Sequence, residues 1–144
     1  MKTAKKIRPK RISFSALEKK LDKEFSDYVR RKDADEGGTV TCFTCGGLFF
    51  WRDVDAGHFV KRQHRATRWN TKNVRPQCRR DNHFMGGRQD DFAANIVREH
   101  GQEVFEELMQ LKYQTKKHSR SEIEEMIEKY KALNAELDKR LPRK

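Results

Sequence analysis

The sequence predicts an α+β fold: a small core of short strands and metal-binding turns, flanked by one N-terminal helix and by C-terminal helices. Three observations predict it. Ligand-type residues pair at Cys42-x-x-Cys45 and at Cys78-x-x-Asp81, bracketing the middle of the chain. Short β-branched and aromatic runs lie between turn residues in that same region. Helix-period apolar stripes occupy both flanks.

At 144 residues the chain is one domain by length. The expected division is a basic disordered arm at 1–12 and a single domain at 13–144, with its core at 39–87 and a helical extension at 88–144. The arm carries Lys2, Lys5, Lys6, Arg8, Lys10 and Arg11 and no acid. Such a segment stays solvated alone and meets phosphates on arrival.

Leu17, Leu21, Phe25, Tyr28 and Val29 predict a helix over 14–32. Ser15 with Glu18 makes a capping-box pattern at its start, and Gly37-Gly38 marks a break. Thr39-Val40-Thr41 and Leu48-Phe49-Phe50-Trp51 predict strands around the first cysteine turn, where Gly46-Gly47 lets the backbone reverse. Val54 to Val60 predicts a further strand, with Gly57 as a bulge or a point of close approach. Asn70, Thr71, Asn73 and Pro76 break periodicity, so 61–80 is expected to be loop. Residues 81–87 begin a helix that Gly86-Gly87 interrupts. Helices follow with Phe92, Ile96 and Val97 before Gly101, and with Val104, Phe105, Leu108 and Leu111. Ser121 with Glu124 starts the last helix, whose stripe is Ile123, Ile127, Tyr130, Leu133 and Leu137. That stripe either folds back on the domain or pairs with a second copy as a homodimer.

Composition narrows the function classes. A net charge of +11 favours a polyanion, either nucleic acid or an anionic surface. No apolar run approaches the roughly 18 residues of a membrane span, and no apolar segment follows the basic start as a secretory leader would require. Three cysteines suit metal binding in a reducing, cytoplasmic setting better than a disulfide plan.

The candidate metal centre is one structural zinc on Cys42, Cys45 and Cys78, with Asp81 as the fourth ligand and His83 as its substitute. A carboxylate is a harder ligand than a thiolate, so affinity should fall below that of a four-cysteine site. The candidate catalytic residues are His58, Asn73 and Asn82. Phosphodiester hydrolysis needs a base for water and a cation at the departing oxygen. His58 is the expected general base. Asn82 and Asp55 are the expected oxygen ligands of a catalytic Mg²⁺ or Mn²⁺. Residues three apart on a regular strand face opposite sides, so Asp55 joins His58 only if Gly57 bulges. Asn73 either takes part directly or supports the loop and orients the histidine. The acid-free run supplies the expected DNA contacts: Lys61, Arg62, His64, Arg65, Arg68, Trp69, Lys72, Arg75, Arg79 and Arg80. A zinc-knuckle DNA-binding protein without cleavage activity would share the metal and the basic face, but has no use for a Gly57-His58 step or for Asn82 beside the zinc knuckle.

At these residues the sequence resembles a known group. The order of C-x-x-C, histidine strand, asparagine loop and second ligand pair followed by Asn82 resembles the zinc-braced branch of the HNH, or His-Me finger, nucleases. Asp55-Ala56-Gly57-His58-Phe59, then Arg62, His64, Ala66-Thr67-Arg68-Trp69, Asn73, Gln77-Cys78, Asn82 and Gly86-Gly87 resemble the lambdoid-phage NinG (Rap) recombination endonuclease family. The resemblance implies a ββα-metal core and a metal-dependent endonuclease acting on branched double-stranded DNA such as D-loops and Holliday junctions. It also implies work in phage recombination inside a bacterial host. Asp81 stands where the family pattern has cysteine.

Overall fold

The computed structural model describes Ala4 and residues 11–144. The expected disorder of the basic arm therefore lies almost wholly outside the described residues. Helix α1 spans Phe14–Arg31. Its N-cap is Ser13, whose hydroxyl accepts from the Ala16 N–H at 3.1 Å, and not Ser15. The earlier start keeps the apolar stripe in place and adds backbone bonds, including Leu17 N–H to the Ser13 carbonyl at 3.0 Å.

Strands β1 (Thr39–Thr41) and β2 (Leu48–Phe50) form an antiparallel hairpin around the C-x-x-C turn. Trp51 is not part of β2. It opens a 3-10 turn, Trp51–Asp53, and is buried there, with its indole N–H donating to the Pro142 carbonyl. Strands β3 (Val54–His58) and β4 (Val74–Cys78) form a second antiparallel pair, from Val54 opposite Cys78 to His58 opposite Val74.

Strand β4 and the short helix α2 (Arg65–Arg68) correct the expectation of loop over 61–80. Pro76 is tolerated because its carbonyl accepts from Phe43 N–H, away from β3. Its missing donor falls on that same outer side, so the β3–β4 ladder loses nothing. Gly57 is no bulge either: the register passes through Gly57 opposite Arg75 without a slip. The glycine is needed because the Gln77 side chain lies across it. A Cβ there would overlap Gln77 Oε1 and sit 2.9 Å from its Cβ.

After β4 come a π-helical turn, Arg80–Phe84, and helices α3 (Gln89–His100), α4 (Gln102–Lys112) and α5 (Arg120–Arg140). The α5 N-cap is Ser119, accepting from Glu122 N–H at 3.1 Å, two residues ahead of the expected Ser121. Again the longer helix wins, with Ile123 N–H reaching the Ser119 carbonyl.

The main core joins Leu17, Leu21, Phe25 and Val29 of α1 to Ile123, Ile127 and Tyr130 of α5, with Trp69 and Val74 beside them. Full burial of one such side chain stabilises by about 1.5–3 kcal/mol. The α5 stripe thus folds back on α1 and is covered within the chain. A second cluster packs Val40, Trp51 and Val54 under Leu137 and Leu141. A third packs Val60, Phe92, Ile96 and Leu108. Among the described residues no helix is long and apolar enough to cross a membrane.

Candidate functional site

The two cysteine-bearing segments meet at one point. Ligand atoms of Cys42, Cys45, Cys78 and Asp81 all lie within 4.8 Å of one another. Zinc–sulfur bonds of about 2.3 Å in a tetrahedron set sulfurs roughly 3.8 Å apart. Cys45 Sγ and Cys78 Sγ stand 3.9 Å apart. The donor set therefore fits zinc. His83 is not in this group; its ring Nε2 turns to Asp55 at 2.9 Å instead.

The turns that bear the ligands are prepared for negative sulfur. Cys78 N–H points at Cys42 Sγ (3.2 Å) and Gly47 N–H at Cys45 Sγ (3.4 Å). Burial pushes the Cys42 thiol up, but the Thr44 hydroxyl and the Cys78, Cys45 and Thr44 N–H groups outweigh it and bring it down to about 7. Burial, with the neighbouring sulfurs, pushes Cys78 up to about 11. Of these two thiols, Cys42 ionises before Cys78. Asp81 is fully buried. Burial alone would raise its carboxyl, yet the Thr44 hydroxyl and Arg80 hold it below the usual range. Thr44 donates to Asp81 Oδ2 at 2.8 Å, and Gln77 Nε2 donates to Thr44 in turn.

A cleft of about 250 Å³ opens at the His58 end of the β3–β4 pair, away from the Cys78 end. His58, Asn82, Lys61, Arg62, Ala56 and Asp22 are among its lining residues. His58 Nε2 lies 2.9 Å from the Arg68 carbonyl, which can only accept, so the ring donates from that nitrogen. Burial lowers the His58 pKa below its ordinary value, against the upward pull of the Arg68 and Ala56 carbonyls. The ring is therefore neutral near pH 7. Asn82 Nδ2 donates to Asp55 Oδ2 at 3.1 Å, which brings the two expected oxygen ligands side by side. Without a bulge, Asp55 stands on the opposite strand face from His58 and meets the cleft through Asn82.

Asn73 is fully buried. Its amide donates to the Val60 and Thr67 carbonyls, and its oxygen accepts from Val60 N–H at 2.7 Å. These bonds staple the two ends of the loop that carries Lys61, Arg62 and Arg68. A larger groove, about 740 Å³, runs between the first cysteine turn and α3, lined by Arg75, Asp91, Asn95 and Arg98 among others. It is wider than the His58 cleft, but it contains neither the histidine nor Asn82.

The basic run does not stand free as its local sequence suggests. Arg65 pairs with Glu18 at 2.9 Å, and Arg68 holds Asp22 through two nitrogens at 3.1 and 2.6 Å. Trp69 is buried, and its indole N–H also donates to Asp22. Arg75 pairs with Glu99 and lies 4.3 Å over the Phe43 ring. Arg79 donates to the Arg52 carbonyl, and Arg80 to Asp81. His64 is half-buried at the start of α2. Lys61, Arg62 and Lys72 are exposed, and the first two line the cleft.

Four further residues carry the site. Thr44 and Asp22 have no part in the sequence expectations, Glu18 is expected there only as a capping residue, and Gln77 only as a part of the resembling motif. Glu18 and Asp22 have a visible signal, two acids at i and i+4 beside the apolar stripe of α1. Thr44 has none beyond its place between two cysteines.

The geometry defines a mixed α+β protein with a Cys₃Asp group whose spacing and donors fit a zinc ion. The family model described as Bacteriophage Lambda NinG protein matches residues 1–140, and the chain belongs to that family. No curated protein and no solved structure matches it.

Proposed function

We propose that the protein is a metal-dependent endonuclease that cuts branched double-stranded DNA, such as D-loops and Holliday junctions. One observation carries this reading: His58 and Asn82 line a single cleft together with two exposed cations, Lys61 and Arg62. The β3–β4 pair and the turn Arg80–Phe84 supply the two strands and helical piece of a ββα-metal core in the HNH, or His-Me finger, sense. Membership of the NinG family supports a place in phage recombination, within the bacterial cytoplasm.

The proposed chemistry follows from the donors. With its Nε2 proton held by the Arg68 carbonyl, His58 keeps a lone pair on the other ring nitrogen. That nitrogen takes a proton from water. The water oxygen bonds to phosphorus, and the bond from phosphorus to one sugar oxygen breaks. The Asn82 amide oxygen would hold Mg²⁺ or Mn²⁺ in the cleft, with Asp55 fixing Asn82 through its amide N–H and water and phosphate completing the set. The cation supplies charge stabilisation at the departing oxygen. Lys61 and Arg62 hold the backbone phosphates. The Cys₃Asp group fixes the turn that carries Asn82 against β4.

The test is one gel. The zinc-loaded protein is incubated with linear duplex, single strand, D-loop and four-way junction, with and without Mg²⁺ or Mn²⁺. Cleavage of the branched substrates only with the divalent ion is expected. Binding without any cleavage would assign the chain to the DNA-binding class instead.

A further inference from the structure

Two residues beyond Asn82 the chain turns Phe84 and Met85 outward. Phe84 is 84% exposed and Met85 52%. The tip is not a loose end. Met85 N–H bonds to the Arg80 carbonyl and Gly87 N–H to the Asp81 carbonyl at 2.8 Å. Gly86 and Gly87 take positive φ, and Arg88 follows at φ 44°, a left-handed conformation that costs a non-glycine residue energy. A π-helical turn leading into a strained residue is the kind of irregularity found at functional sites. Its root, Asp81, belongs to the metal-binding group.

Exposed cations flank the turn that carries the tip. Arg79 and Arg80 have side chains 60% and 63% exposed while reaching Asp55 and Asp81 from their inner edges. Lys61 Nζ lies 3.3 Å from where a Gly87 Cβ would stand, and Lys61 also lines the His58 cleft. An exposed aromatic ring two residues beyond Asn82, on the turn whose end lies beside Lys61, matches the chemistry of a nucleobase flanked by phosphates. The net charge of +11 and the exposed Lys61 and Arg62 of the neighbouring cleft favour a nucleic acid over an apolar protein surface as the occupant. We propose that Phe84, supported by Met85, is a wedge that stacks on an unstacked base at a DNA branch point. The proposal rests on the nuclease reading above and names its selectivity element. An uninterrupted duplex hides its base faces, whereas a branch point offers them, so the ring recognises structure without reading sequence.

The experiment measures affinity of the zinc-loaded full chain, without Mg²⁺, for a four-way junction and for a linear duplex at one salt concentration. The junction carries 2-aminopurine at the branch. Phe84→Ala is expected to lower junction affinity about tenfold and to abolish the fluorescence change on binding, while duplex affinity stays constant. Phe84→Trp is expected to retain both. The side chain is so exposed that neither change disturbs packing, which an unchanged melting curve verifies. Equal junction affinity in wild type and Phe84→Ala overturns the wedge while leaving the nuclease reading intact. Absence of any DNA binding in the wild type overturns both. Binding to phosphatidylserine vesicles that Phe84→Ala abolishes, with junction binding unchanged, assigns the tip to membranes and overturns the wedge.

Discussion

The two ends of the β3–β4 pair solve different problems with the same strands. At one end, Cys78 closes β4 and joins Cys42, Cys45 and Asp81 in a closed knot of converging ligands. At the other, His58 closes β3 and faces an open cleft, held by a backbone carbonyl and by side chains that reach in from α1. The knot is short in sequence and specified by residue type. The cleft is assembled from distant segments: Asp22 of α1 grips Arg68, and the Arg68 carbonyl grips His58. A residue pattern can announce a knot, but the cleft exists only once the chain has folded.

The largest expected effect is on the knot. Stripping the metal with a chelator at pH 7 should melt both cysteine turns, because structural zinc supplies on the order of 10 kcal/mol of folding free energy in small domains. Loss of near-ultraviolet circular dichroism, restored by added zinc, would show it. Retention of the full signal in verified zinc-free protein would detach the knot from the fold.

A smaller effect is expected between the two ends. Gly57→Ala drives a methyl into Gln77, which also donates to Thr44 and to the Gly87 carbonyl. The cost should be about 1–3 kcal/mol, the usual range for overpacking. Urea denaturation reads it directly, and an unchanged midpoint would mean that Gln77 moves aside freely.

On the cleft side, Asp22→Asn keeps the size of the side chain but removes the charge that clamps Arg68. Cleavage of a labelled junction should fall by roughly tenfold, about 1.4 kcal/mol, in line with loss of one charge-assisted hydrogen bond. Metal content should stay at the wild-type value. A parallel loss of metal would show that the two ends are not separable.

The mildest test is pH. Burial holds the His58 pKa below its ordinary 6.5. A base must be neutral, so cleavage should persist as pH falls to 6.5 and decline only below it, as the ring takes up a proton. A folded-state pKa depressed in this way also adds stability above the unfolded value, and that stability is lost as pH falls through the folded one. An acid limb centred above 6.5 would point to a different base.

What the sequence made legible follows the same division. Helices α1, α3, α4 and α5, the first hairpin and the cysteine–aspartate group could be read because periodicity and ligand spacing are local. Strand β4 was hidden by Pro76, whose missing donor matters only if its outer edge needs one. The Gly57 bulge was a fair inference from an isolated glycine, yet the reason for the glycine was a side chain twenty residues away. The two caps were misplaced by two residues because each helix offers two serines in a row of three. The basic run looked unopposed because its acids, Glu18, Asp22 and Glu99, lie on other elements.

The measurement closest to the central claim compares wild type with His58→Ala at equal metal content on a labelled four-way junction, following binding and Mg²⁺-dependent cleavage together. The account predicts that cleavage falls by about 10²–10⁴-fold, the usual contribution of a general base, while junction affinity and melting temperature hold. Cleavage that survives the substitution, or affinity that falls with it, would contradict the account.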